Sequence, residues 1–159
     1  MRVRAKAGLG LAFAVIAFLG ALAFIRLAPS DPAVWNVDLA AGDLPSNAHV
    51  FCIRPDTRYG PITGDPKALL ARLDAIAMAT PRTERLAGSA AEGRITWITR
   101  SLLMGYPDYT TAEVMDGPSL CIAGRQRFGS GDMGVNAARI GAWAQALLGL
   151  QEAPEMTGL

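Results

Sequence analysis

The sequence predicts an α+β domain: an antiparallel sheet of about five strands packed against two helices, preceded by one N-terminal transmembrane helix. Three observations lead there. Ala7 to Ile25 is a run of 19 residues without a charge, and three basic residues precede it. Two segments with helical periodicity bracket the rest of the chain. Between them, consecutive β-rich segments are joined by turns too short for anything but antiparallel pairing.

The apolar run comes first. A helix of roughly 20 apolar residues crosses a bilayer. Arg2, Arg4 and Lys6 should hold the N-terminus on the cytoplasmic side. The remainder then faces the periplasm from a bacterial inner membrane. A cleaved signal peptide is the competing reading, with Ala21-Leu22-Ala23 as its cleavage site. Length and continuous apolarity favour an uncleaved anchor over residues 1–27, and both readings carry the rest of the chain across the membrane. Hydrophobic residues make up 51% of the sequence and charged ones 18%, the apolar excess lying in the anchor. Beyond Arg26, eleven basic residues stand against fourteen acidic ones, a net charge of −3. Such a balance offers no basic field for nucleic acid. The expected partners are the membrane and a larger membrane protein complex.

Residues 28–47 hold three prolines and few periodic apolar positions, which reads as an extended linker. Trp35 within it suits either the headgroup layer or the edge of a core. The α+β domain is expected over 48–150. His49 to Pro55 reads as a strand ended by proline, and Asp56 to Gly64 as a turn-rich loop. Asp65-Pro66 supplies an N-cap and a proline at the first helical position. The helix that follows places Leu69, Leu73 and Ile76 on one face, Leu70 and Ala77 beside them, and Lys67, Arg72 and Asp74 largely opposite. Arg82–Ser89, Arg94–Ser101, Asp108–Met115 and Ser119–Phe128 read as four further strands. A helix from about Met133 to Leu148 closes the domain, with Ile140, Trp143, Ala144 and Leu147 inward. Residues 151–159 read as a flexible tail.

Gly129 to Gly134 spells G-x-G-x-x-G. A dinucleotide site needs a parallel βαβ unit and an acidic residue after its second strand. Glu152 and Glu155 have the spacing, but no strand is left to carry them. The stretch reads instead as a turn, with Asp132 capping the last helix. No nucleotide and no other cofactor is expected. One histidine and two cysteines make a poor zinc set, so no metal is expected either. His49 and Cys52 fall on opposite faces of one strand, which disfavours a nucleophilic cysteine. Cys52 and Cys121 are either a disulfide, which an oxidising compartment permits, or two buried thiols. Without a catalytic set, the enzyme reading, a hydrolase at most, ranks last.

Arg125 and Arg127 share one sheet face with Cys121, and Arg94 and Arg100 share another strand's face. Asp108, Glu113 and Asp132 are their expected ion-pair partners. The alternative is a cationic patch for a lipid headgroup or small anion, built from Arg100, Arg125 and Arg127 with Tyr106 and Tyr109. Leu102, Leu103, Met104 and Tyr106 form an apolar loop tip that is either a contact surface or folded back on the sheet.

Two segments, "TPRTERLAGSAAEGRITWITRSLLMGYPDYTTAEV" and "RQRFGSGDMGVNAARIGAWAQAL", resemble the bacterial and plant family called domain of unknown function 1499. "RLAPSDPAVWNVD" after the apolar run is similar to its membrane-tethered members. The resemblance singles out Arg82, Glu92, Gly93 and Arg100. It continues with Pro107, Asp108 and Tyr109, then Arg127, Phe128 and Gly129, and ends on Asp132, Gly134, Asn136 and Arg139. It implies a fold and an address but no reaction. The expected role is thus a membrane-anchored periplasmic accessory or interaction domain.

Overall fold

The computed structural model describes residues 2–42, 44–54, 62, 64–129 and 131–149. The predicted tail, most of the loop at 56–64 and Ser130 lie outside the described residues.

Helix α1 (Arg2–Leu27) contains an 18-residue stretch, Gly10–Leu27, of mean hydropathy 2.2 and almost wholly exposed. It is long and apolar enough to cross a membrane. The four-residue helix α2 (Pro32–Trp35) follows, capped by the Asp31 carboxylate. Five strands then form one antiparallel sheet: β1 (His49–Ile53), β2 (Thr83–Ser89), β3 (Arg94–Arg100), β4 (Pro107–Met115) and β5 (Ser119–Gln126), in the order β1-β5-β4-β3-β2. Helix α3 (Pro66–Ala79) follows β1 and helix α4 (Val135–Leu148) follows β5. The α+β expectation holds.

Alternation along the strands divides the sheet into two faces. Ile53, Ile95, Trp97, Ala112, Leu120 and Ile122 meet Leu70, Leu73 and Ala77 of α3 and Ile140, Trp143 and Leu147 of α4. Each fully buried Leu or Ile there is worth about 1.5–3 kcal/mol. Asp65 caps α3 as expected, accepting from Lys67 N. Asp74, expected on the outer side, turns to the sheet: it accepts from Trp97 Nε1 at 2.9 Å and pairs with Arg85. Trp97 is fully buried, so its indole N–H needs an acceptor within the protein, and Asp74 supplies it.

The opposite face carries Thr96, Thr111, Glu113, Arg125 and Tyr109, and its cover differs from the sequence expectation. Residues 28–42 and Leu44, within the segment 28–47 read as a linker, lie across it as a strap. Trp35 stacks flat on Tyr109, ring centroids 3.8 Å apart. Asn36 Oδ1 accepts from Thr96 Oγ1 at 2.9 Å, and Leu39 N donates to Glu113 Oε2 at 2.7 Å. Leu39 packs with Cys121 and Ala123, joined by Val37 and Leu44. Prolines suit this path, since an extended strap crosses the strands without needing their N–H groups. Cys52 stands directly opposite Cys121 in the β1–β5 register, and the two form a disulfide.

A bulge in β2 fixes the register of the far edge. The β2–β3 pairing shifts between Arg85 and Ala87, and Gly88 beside it has φ 83°. A Cβ on Gly88 would stand 2.1 Å from the Arg94 carbonyl oxygen. Gly88→Ala is therefore expected to destabilise the chain by about 2–3 kcal/mol, through left-handed strain and a backbone clash. The check is a lower urea midpoint at unchanged m-value.

Candidate functional site

Glu92, Gly93 and Arg94 lie at the far end of the sheet, where Arg94 pairs with Glu113. Most of the other residues singled out from the sequence gather at the opposite end, where β3, β4 and β5 meet the end of α1. They divide into three groups with different surroundings.

The first lies under the strap. Arg125 is buried, and its Nη2 donates to the Trp35 carbonyl at 2.7 Å and to Thr111 Oγ1 at 2.9 Å. Burial brings its guanidinium down to about 10, with Tyr109 acting in the opposite sense, so it is charged at neutral pH. Arg127 Nη1 reaches the Pro29 carbonyl at 2.8 Å and Tyr109 Oη at 3.3 Å. Ser30 Oγ and Tyr109 Oη are 2.6 Å apart. Arg125, Arg127 and Tyr109, members of the alternative anion patch, are occupied in holding the strap. The facing of both arginines follows their sequence alternation; the strap is what closes over them.

The second group joins β4 to α4. Gly124 makes room for it: a Cβ there would lie 3.0 Å from both Asn136 Cβ and Ile140 Cδ1. The close approach buries Asn136 and lets Arg139 reach back to the sheet. Arg139 donates to Asn136 Oδ1 at 2.7 Å and pairs with Asp108 at 3.2 Å, both side chains at most 15% exposed. Burial raises the Asp108 pKa above the usual carboxylate range, Arg139 opposes that, and neighbouring Asp132 adds to the rise. Asp132 bonds Gly134 N at 3.0 Å and Asn136 N at 2.7 Å. Burial pushes its pKa up, but these N–H groups more than offset that and leave it lowered. It caps α4 from two residues outside. The helix begins at Val135 rather than Met133, and its N-cap Gly134 has φ 82° and no side chain to offer. The glycine-rich stretch is a strand-to-helix turn.

The third group is open. A cleft of about 350 Å³ is bordered by Tyr106, Phe128, Met133 and Val135, with Asp108 and Asp132 among its walls. Leu102 and Leu103 beside it are exposed, 72% and 81%, so the loop tip does not fold back onto the sheet. That loop is fastened to the end of α1. Arg26 Nη2 donates to the Leu103 carbonyl at 2.7 Å, and its side chain lies against Gly105. Phe24 meets Phe128 edge-on at 6.1 Å, and Phe128 meets Tyr106 at 6.0 Å. A second cleft, of about 450 Å³, opens on the other side of the same loop and is lined by Arg26, Arg82, Glu84 and Arg100. Sequence reading assigned Arg26 to the anchor flank and left Arg82 as a motif residue. Only the return of the chain to the end of α1 brings them together.

Fold and site define an α+β domain whose sheet is covered by two helices on one face and by its own N-terminal strap on the other, with several of its motif residues near the end of an apolar N-terminal helix. The chain belongs to the family described as protein of unknown function, DUF1499, whose model matches residues 26–147. The match begins at Arg26, so the strap lies inside it. No curated protein matches the chain.

Proposed function

We propose that the chain is an accessory domain anchored in a bacterial inner membrane by α1 and working at its periplasmic surface, with the Leu102–Tyr106 loop as its contact with a membrane protein partner. One observation carries this reading: the exposed apolar loop is bonded to the end of the apolar helix through Arg26 and the Leu103 carbonyl. Exposed Leu102 and Leu103 then lie where the helix leaves the bilayer, and an apolar patch in that place marks a contact. The Cys52–Cys121 disulfide supports the periplasmic side, because such bonds persist in oxidising compartments.

The test is a photo-reactive residue in place of Leu103, in the full chain in intact cells. The expected result is a cross-linked product of defined mass that remains in carbonate-washed membranes, together with digestion of the domain by protease added to spheroplasts. Cross-links to lipid alone would remove the partner. A domain protected in spheroplasts would remove the orientation.

A further inference from the structure

We infer that the cleft between Arg26, Arg82 and Arg100 is a binding site for a phosphate group, either the phosphodiester of a lipid headgroup or a free phosphate. Three guanidiniums from three separate parts of the chain line one cleft, against a single carboxylate. That carboxylate, Glu84, is 62% exposed and stands 3.8 Å from Arg100 Nε, too far to take its hydrogen bond. The arginines are only partly used by the protein. Arg82 gives its Nε to the Arg100 carbonyl, and Arg26 gives Nε and Nη2 to the loop carbonyls. Arg100 Nη1 is buried and has no partner among the described residues. Ser101, whose Oγ accepts from Tyr106 N at 3.0 Å, is a further polar residue of the lining. Converging guanidiniums with free N–H groups match the several oxygens of a phosphate, which accepts more such bonds than a carboxylate.

The position favours this ligand as well. Nineteen helical residues at about 1.5 Å each span roughly the hydrocarbon thickness of a bilayer. Arg26 follows that run directly, so the cleft lies at headgroup depth when α1 spans the membrane. The lipid source rests on that reading; the phosphate site itself does not. Backbone geometry adds a further sign. Arg82 has φ 60°, a left-handed conformation that a glycine takes at lower cost. Where a turn would take glycine more easily, an arginine has been placed facing the cleft.

The same feature separates binding from folding. Full-length protein in a neutral detergent is titrated with inorganic phosphate and with short-chain phosphatidylglycerol, and binding is read by thermophoresis. Saturable binding of at least one is expected, weakened about tenfold in Arg82→Gly, the loss of one charge-assisted contact. The Tm of Arg82→Gly without ligand should equal or exceed that of the wild type. Binding of phosphatidylglycerol alone assigns the site to a lipid, and equal binding of both assigns it to a soluble phosphate. Saturation by neither probe overturns the inference, and so does binding that Arg82→Gly leaves unchanged. A wild-type chain that washes off membranes in carbonate would end the membrane reading while the inorganic phosphate titration still decides the cleft.

Discussion

Replacing Cys52 and Cys121 together by serine is expected to lower the unfolding free energy by about 4 kcal/mol, the chain-entropy value for a bond that closes a loop of this length. The two residues are 69 positions apart. The loop contains α3, β2, β3 and β4, so the bond ties the first strand to the last after most of the domain has intervened. Its position makes the loss felt locally too. Strand β1 has five residues, lies at an edge of the sheet and, among the described residues, pairs with β5 alone. The strap residues Val37, Leu39 and Leu44 pack around the same cysteines. Without the bond, β1 and the strap should open before the rest, because short edge elements are the low-stability end of a fold. Urea unfolding of the detergent-solubilised chain checks this. Reductant should shift the wild type by the same amount and leave the double variant unmoved. A shift below about 1 kcal/mol would mean that the β1–β5 ladder and the strap hold without the bond.

The strands and helices were legible because their signals are local. Asp65-Pro66 begins α3 by chemistry contained in two adjacent residues. "RITWITR" is a strand by its alternation and its β-branched residues. The strap was not legible, since its order comes from residues far along the chain. Trp35 is held by Tyr109 and Arg125, and Leu39 by Glu113, with 74 positions between each of the pairs Trp35–Tyr109 and Leu39–Glu113. A proline-rich segment with no periodicity carries no sign of the surface it will cover. That omission propagated into the site. Alternation put Arg125 on the correct face, but neither its expected carboxylate partners nor the alternative anion patch included the Trp35 carbonyl and Thr111 hydroxyl that take its N–H groups. Asp108, Asp132 and Arg139 were recognisable as motif residues, whereas the mutual pairing of Asp108 and Arg139 depends on how closely α4 crosses β5 at Gly124. The cleft with Arg82 needed the left-handed turn at that residue and the return of the loop to Arg26. Neither has a local sequence signature.

Arg139→Met is expected to cost about 3–5 kcal/mol at neutral pH, the loss that follows when one partner of a buried ion pair is removed. Its pH dependence distinguishes an electrostatic role from a packing one. Burial raises the Asp108 pKa in the folded chain, and both influences that hold it down come from Arg139. With Arg139 gone, Asp108 is left buried beside Asp132 without a cation, and its folded pKa rises further. A carboxyl whose folded pKa lies above its unfolded value, about 3.9, binds more protons when folded. Its contribution is therefore favourable at low pH and is lost as pH rises through the folded pKa. The penalty of Arg139→Met should thus be largest at neutral pH and shrink as the solution is acidified toward the unfolded value. Asp132 moves in the opposite sense: its lowered pKa gives stability that is present above the unfolded value and lost only in stronger acid. The intermediate range accordingly reports Asp108. Adding Asp108→Asn to Arg139→Met should recover much of the loss and flatten the pH profile, a coupling that a double-mutant cycle measures directly. A penalty that stays constant with pH would show that Arg139 supports α4 by packing alone. It would also leave the raised carboxyl of Asp108 without an electrostatic role in the cleft that it borders.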